Sequence, residues 1–222
     1  MNVSAIIMAA GSGSRFGERK QFKLLKGKAL YLYSVNKFLL CENINEIILV
    51  VPKSRLDEIK KEIARLKKTK KVFVISGGYR RQDSVKNGLL SVSNKSQLVC
   101  IHDGARPFVS EKLIKQSIIA CSKNDGAIVA NPNFDTLKIC ERGYVKKTID
   151  RNNVWMAQTP QVFWKTKLLN AIAISEKKNM EVTDESSMME YLGYKISVVR
   201  GNYNNFKITR REDWQRAVNI IG

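Results

Sequence analysis

One histidine, His102, serves the whole 222-residue chain. With so few imidazoles, no Ser-His-Asp or Cys-His catalytic arrangement is evident. Four cysteines, at 41, 100, 121 and 140, are scattered without Cys-x-x-Cys spacing. The absence of a Cys/His cluster removes any expectation of a zinc site. The cysteines sit mostly in apolar surroundings, which reads as reduced thiols in a cytoplasmic protein. No apolar run reaches about 18 residues, so no membrane-spanning helix is expected. No basic segment precedes an apolar one at the start, so no signal peptide is expected either. Internal repeats, low-complexity tracts and domain-sized linkers are also missing. Residues 1–222 therefore read as a single domain, long enough to bury a core without disulfide or metal support.

Acidic residues are scarce as well. The chain has 20 Asp and Glu against 39 Lys and Arg, a formal net charge of +19. Such a balance raises the question of nucleic-acid binding. Much of the excess lies between Lys60 and Lys71, on a predicted surface helix and its exit, with no interleaved aromatics. That pattern reads as a lysine-rich solvated face, and the overall field attracts anionic substrates.

What the chain does have begins at its first strand. Ala5-Ile6-Ile7-Met8 is a short apolar run that breaks into Ala9-Ala10-Gly11-Ser12-Gly13-Ser14-Arg15-Phe16-Gly17, followed by Lys20-Gln21-Phe22. Glycines let the backbone approach a ligand with its N–H groups turned inward. A strand, a glycine loop and two cations suit a polyphosphate. Neither common phosphate motif fits. The dinucleotide fingerprint needs Gly at 16, where Phe stands, and the Gly-Lys-Ser/Thr of a Walker A loop does not occur here.

Strand and helix patterns alternate through the first 130 residues. Strands are predicted at Val3–Ala9, Glu46–Val51, Lys71–Ile75, Leu98–His102 and Ala127–Ala130. Helices are predicted at Ala29–Leu40, Arg55–Leu66 with Ser54 as cap, Arg81–Val92, and Glu111–Lys123 capped by Ser110. Repeated βα units build a parallel, doubly wound α/β sheet, whose ligands bind beyond the carboxyl ends of the strands. Gly11, Gly77 and Asp103 each follow a strand, so the three are expected to line one crevice.

The alternation then changes. Thr136–Cys140 and Tyr144–Ile149 flank Glu141-Arg142-Gly143 as a β-hairpin. A lone hairpin is marginal in water, which makes a partner subunit a good candidate for covering it. Helices at Lys165–Lys178 and Asp184–Leu192, strands at Lys195–Val199 and Phe206–Ile208, and a Thr209-x-x-Glu212 capping box on a last helix complete the expectation.

Six further stretches follow the glycine loop: Asp83-Ser84-Val85, His102-Asp103-Gly104-Ala105-Arg106-Pro107, Asp150-Arg151-Asn152, Thr159-Pro160-Gln161, Thr183-Asp184-Glu185 and Phe206-Lys207-Ile208-Thr209. The glycine loop resembles that of sugar-phosphate nucleotidylyltransferases. The ordered set resembles the 2-C-methyl-D-erythritol 4-phosphate cytidylyltransferases, from about residue 3 to about residue 215. The resemblance implies a Rossmann-like fold of nucleotidyltransferase type. Its expected activity is Mg²⁺-dependent transfer of CMP from CTP to methylerythritol phosphate. A β-arm at about residues 134–154 is expected to interlock two subunits.

It assigns catalysis to Arg15, Lys20, Arg151 and Lys207. Substrate binding falls to Ala9, Ala10, Gly11 and Gly13 and, for the cytosine and ribose, to Gly77, Gly78 and Ser84. Asp103, Gly104 and Arg106 are further substrate-binding candidates, Asp103 at a strand end as a Mg²⁺ ligand or an acceptor from a substrate hydroxyl and Arg106 as a partner of Asp103 or of a phosphate. Thr136, Arg151 and Lys207 resemble the groups for the sugar phosphate, with Thr159 and Thr183 as further hydroxyl contacts. For Thr183-Asp184-Glu185 a helix cap is an equal reading, for Asp103 and Arg106 a structural ion pair. His102 reads as a buried structural residue. Two positions depart from the pattern: Arg19, where the family usually has Pro, and Tyr79, where many relatives have Asp. Ribitol-5-phosphate cytidylyltransferase is the nearest alternative, and a non-catalytic nucleic-acid-binding protein the more distant one.

Overall fold

A computed structural model describes residues 1–66 and 68–221. Lys67, in the basic run, and Gly222, the last residue of the expected domain, lie outside the described residues. In chain order the elements are β1 (Val3–Met8), a 3₁₀ turn (Lys20–Phe22), β2 (Leu24–Leu25), β3 (Lys28–Ala29), α1 (Leu30–Leu40), β4 (Glu46–Val51), a 3₁₀ turn (Lys53–Arg55), α2 (Leu56–Arg65), β5 (Lys71–Ser76), α3 (Arg81–Leu90), β6 (Leu98–Asp103), α4 (Glu111–Ser122) and β7 (Gly126–Pro132). Then follow β8 (Leu137–Glu141), β9 (Tyr144–Ile149), β10 (Trp155–Trp164), α5 (Lys165–Lys177), α6 (Glu185–Tyr191), β11 (Ile196–Arg200) and α7 (Arg211–Ile221).

Seven strands form one sheet in the order β11-β7-β10-β6-β1-β4-β5. All neighbours are parallel except those of β10, which runs antiparallel to both β6 and β7. Alternation along β1 sorts its side chains. Val3, Ala5 and Ile7 join a core with α1, α2 and α4, while Ile6 joins the opposite core with α3, α5 and α6. Period-two alternation between two apolar faces is what a sheet covered on both sides requires. A smaller core joins Phe16 of the glycine loop to Ala105, Ile208 and Ala217, so α7 is fastened to the crevice loops.

Four local expectations need correction. Ser54 does not cap α2. It sits inside the 3₁₀ turn, and α2 starts from Arg55 without a side-chain cap. Phe206–Ile208 has no regular secondary structure and joins no strand of the sheet; Ile208 N–H donates to Ala105 C=O instead. The capping box of α7 is shifted by one residue. Asp213, not Glu212, accepts from the backbone, at Thr209 and Arg210. Strand β10 has no counterpart in the sequence-based assignment. Ser110, by contrast, caps α4 through the Leu113 N–H as expected.

The hairpin β8–β9 forms with a two-residue turn, Arg142-Gly143, both at positive φ. That geometry matches the right-handed twist of the strands it joins. Most of its residues are exposed on either face.

Candidate active site

Strand order reverses at β1. The chain runs from β1 to β4 and β5 on one side, then crosses to β6 on the other. The loops after β1 and β6 part there, leaving a crevice at the carboxyl ends of the strands. Its volume is about 720 Å³, lined by the glycine loop, Lys20, Gln21, Lys53, the Gly77–Arg81 turn, Ser84, Asp103 and Lys207. Gly11, Gly77 and Asp103 thus meet in one place.

The glycine loop owes its shape to identifiable contacts. Gly13 has φ +77°, and a Cβ there would lie 1.9 Å from the Glu18 carbonyl oxygen. Only glycine fits. Gln21, almost fully buried, donates its amide to the carbonyls of Ala9 (3.0 Å) and Gly11 (2.7 Å). This ties back the loop's carbonyls. No backbone N–H from Ala10 to Arg15 donates to another described residue. A run of free N–H groups is an anion cradle.

Across the crevice, Gly77 approaches Ala10 so closely that a Cβ would stand 2.5 Å from the alanine methyl. Ser84 Oγ accepts from the Gly78 N–H at 3.0 Å and holds this second turn against α3. Arg80 and Asp83 then form a reciprocal cap at the start of α3.

Asp103 is the one carboxylate of the lining, against six cations: Arg19, Lys20, Lys53, Arg80, Arg81 and Lys207. Lys207 Nζ lies 3.0 Å from it, Arg106 Nε 3.4 Å, and Arg81 3.9 Å. Burial opposes ionisation of Asp103, but Lys207, then Arg81 and Arg106, outweigh it. Its pKa therefore lies well below the usual carboxylate range, and it stays ionised. Lys20 is the reverse case. It is 8 % exposed and has no ion-pair partner among the described residues. Burial, then Lys207 and Arg15, lowers its pKa.

Several sequence-assigned residues lie outside the lining. Arg106 is buried, pairs with Asp103 and donates to the Asn205 carbonyl at 2.9 Å, the structural ion pair. Gly104 packs under Met8, its N–H donating to the Met8 carbonyl. Thr159 does not offer its hydroxyl to the crevice. It accepts from the Asp103 N–H and faces His102 Nδ1, both at 3.0 Å. His102 Nε2 faces the Arg106 carbonyl at 3.1 Å, so Nε2 carries the proton and Nδ1 accepts from Thr159. Burial holds the imidazole neutral, with a pKa lowered to about 4. Thr183 is exposed beside α6, whose cap is Asp184 through the Ser187 N–H. Thr136 and Arg151 lie exposed at the base of the arm, where Arg151 donates to the Phe134 carbonyl. Arg15 is exposed at the end of the glycine loop and close enough to depress the Lys20 pKa.

Three residues absent from the sequence assignment hold the site together. Gln21 shapes the glycine loop. Arg81 reaches Asp103 and forms a two-pronged pair with Glu185, which is fully buried at the start of α6. Glu185 belongs to the Thr183-Asp184-Glu185 stretch, so the motif is present, but it acts through its third residue. Lys53, the residue after Pro52 at the end of β4, completes the cationic lining.

A doubly wound sheet with a glycine loop, a strand-end carboxylate and six cations at the switch point suits a polyphosphate nucleotide, as a nucleotidyltransferase requires. The comparisons narrow the class. Residues 3–222 match the family described as IspD, 2-C-methyl-D-erythritol 4-phosphate cytidylyltransferase. Similar proteins of that name occur in Aquifex aeolicus, 42% identical over 99% of this chain and 97% of that protein, and in Clostridioides difficile, 38% identical over 98% and 93%. The crystal structure of 4-diphosphocytidyl-2C-methyl-D-erythritol synthase from Anaerococcus prevotii superimposes with a TM-score of 0.87 at 34% identity, covering 99% of this chain and 95% of that one. This chain belongs to the 2-C-methyl-D-erythritol 4-phosphate cytidylyltransferase family.

Proposed function

We propose that this enzyme transfers CMP from CTP to 2-C-methyl-D-erythritol 4-phosphate, giving 4-diphosphocytidyl-2-C-methyl-D-erythritol and pyrophosphate. One observation carries the reading. A buried lysine without an ion-paired carboxylate lines the same crevice as a loop of free N–H groups, an arrangement that suits a polyanion. The nucleophile is a phosphate monoester, whose second pKa of about 6 leaves it ionised at neutral pH without a general base. Its oxygen bonds to the α-phosphorus of CTP. The α–β bridging oxygen departs with the electron pair as pyrophosphate. Lys20 and Arg15 stabilise the charge that develops on the α-phosphate and the leaving group, the electrostatic work such a transfer demands. The glycine loop and the Gly77–Ser84 turn hold the nucleotide. Asp103 keeps Lys207 aimed into the crevice, where it meets the sugar phosphate.

Mg²⁺ fits as an ion carried largely by the nucleotide. The described residues contain no group of three Asp, Glu, His or Cys that would cage it, and Asp103 is the one carboxylate of the lining. One carboxylate with phosphates and waters is the usual magnesium environment. When bound, the ion neutralises phosphate charge.

The functional unit is a two-fold dimer with exchanged arms. Phe134, Ile139, Tyr144 and Val145 are exposed apolar side chains on a hairpin too small to stand alone. Thr136 and Arg151, at its base, line no part of their own crevice. The arm delivers them to the sugar-phosphate side of the partner's crevice. The cytoplasm is the expected compartment, since all four cysteines are free thiols.

Pyrophosphate release measured with CTP and methylerythritol phosphate tests the reading, with ribitol 5-phosphate as second acceptor. Turnover with the first, abolished by EDTA and restored by Mg²⁺, is the expected result. Turnover only with ribitol phosphate would transfer the enzyme to that neighbouring activity. No turnover, with salt-sensitive RNA or DNA binding instead, would favour the nucleic-acid alternative.

A further inference from the structure

The six cations of the crevice fall into two groups. Arg80 is paired with Asp83 at 2.9 Å, Arg81 with Glu185, and Lys207 with Asp103 at 3.0 Å. Arg19, Lys20 and Lys53 have no carboxylate within ion-pair distance among the described residues. The division is spatial too. The paired three come from the start of α3 and the chain before α7. The unpaired three come from the connections that follow β1 and β4, two strands hydrogen-bonded side by side.

Arg19 is not left loose. Its guanidinium donates to the Ser54 hydroxyl at 3.1 Å, bridging the two connections. A neutral partner fixes the side chain without cancelling its charge. Lys20 beside it is more than nine-tenths buried and unpartnered. For the buried Lys20 an incoming anion offsets the lost hydration, and the exposed Arg19 and Lys53 add positive charge on the same side of the crevice. An arginine fork with point-charge lysines suits two adjacent phosphates. Arg80 and Arg81 are matched by Asp83 and Glu185, and Lys207 is held at Asp103, which it shares with Arg106, so these three offer less to a second phosphate group.

We propose that Arg19 and Lys53 complete, with Lys20, a subsite for the β- and γ-phosphates of the nucleotide, which retains the pyrophosphate until it leaves. This rests on the crevice being the CTP site. The subsite makes the enzyme favour a triphosphate over a monophosphate through residues outside the glycine loop.

Equilibrium binding of CTP, CMP and inorganic pyrophosphate to the full chain provides the test. The variants are Arg19→Gln, Lys53→Gln, their double, and Ser54→Ala. Arg19 and Lys53 are exposed, and an unchanged thermal midpoint confirms that the variants fold. Each Gln substitution should raise the Kd for CTP and for pyrophosphate about tenfold, the usual worth of a hydrogen bond to a charged group. The Kd for CMP should not move. Ser54→Ala should weaken pyrophosphate binding in the wild-type background and have no effect beside Arg19→Gln. An unaltered pyrophosphate Kd in the double variant would overturn the subsite alone. So would CMP weakening as much as CTP. A wild-type protein that binds neither CTP nor CMP would overturn the nucleotide reading and the subsite together.

Discussion

Lys20 is a mostly buried cation with no carboxylate within ion-pair distance among the described residues, and the proposed mechanism has it act on phosphate. Substituting Lys20→Ala or Arg15→Ala should lower kcat and kcat/KM by similar factors, about 10²–10³-fold for a strong electrostatic donor acting in the transition state. Steady-state kinetics check this; near-normal kcat in either variant removes that residue from the mechanism. The pH profile follows from the lowered Lys20 pKa. Its proton is lost as pH rises, so activity should fall on an alkaline limb set below the ordinary lysine value of about 10.4. His102 makes an equally specific prediction, and as the single histidine it is directly visible. Its ring is fixed between Thr159 and the Arg106 carbonyl, and its pKa is lowered to about 4. NMR of the imidazole should show the Nε2–H tautomer unchanged down to about pH 5. Titration near pH 6.5 would mean that the Thr159–His102–Arg106 chain does not form.

At the level of elements, period and loop chemistry carried most of the fold. The parallel strands β1, β4, β5 and β6 are short apolar runs bounded by turn residues, and α1 to α4 show a helical repeat between them. Strand β10 was not legible because Pro160 stands in its middle. Proline lacks the N–H that a central ladder needs. The sheet accommodates it by shifting register between Gln158 and Gln161. Glu185 was legible as part of a motif but not as a partner of Arg81, since nothing local announces a contact between residues so far apart in the chain. The start of α6 separates the two readings of Thr183-Asp184-Glu185. Asp184 accepts from the Ser187 N–H at 3.1 Å and from Gln161 at 2.8 Å. Asp184→Ala should cost about 1–2 kcal/mol, the upper range for a lost cap. Thr183→Ala should stay within about 0.5 kcal/mol, as exposed substitutions do. Denaturant midpoints of the two variants decide; equal losses would reject Asp184 as the cap.

For the whole molecule, the proposed exchange of arms determines how sites would be shared. Arg151 lies on the arm and Lys207 beside the crevice, so a two-fold dimer with exchanged arms draws them from different chains into one site. The homodimers of Arg151→Ala and of Lys207→Ala should each be nearly inactive. Refolded together in equal amounts, half the dimers are mixed, and each mixed dimer has one intact site and one doubly damaged site. Recovery of roughly a quarter of wild-type activity is expected from two-fold symmetry. No recovery on mixing would place both residues in one chain's site. The arm also has a geometry that the sequence showed only as a hairpin. The chain leaves the sheet at Pro132 and re-enters at Trp155, its direct cross-strand neighbour. The excursion therefore begins and ends at the same point of the sheet. Insertions and deletions within it leave every strand register untouched, so the surface proposed to meet another subunit is free to drift in length and shape without disturbing the crevice.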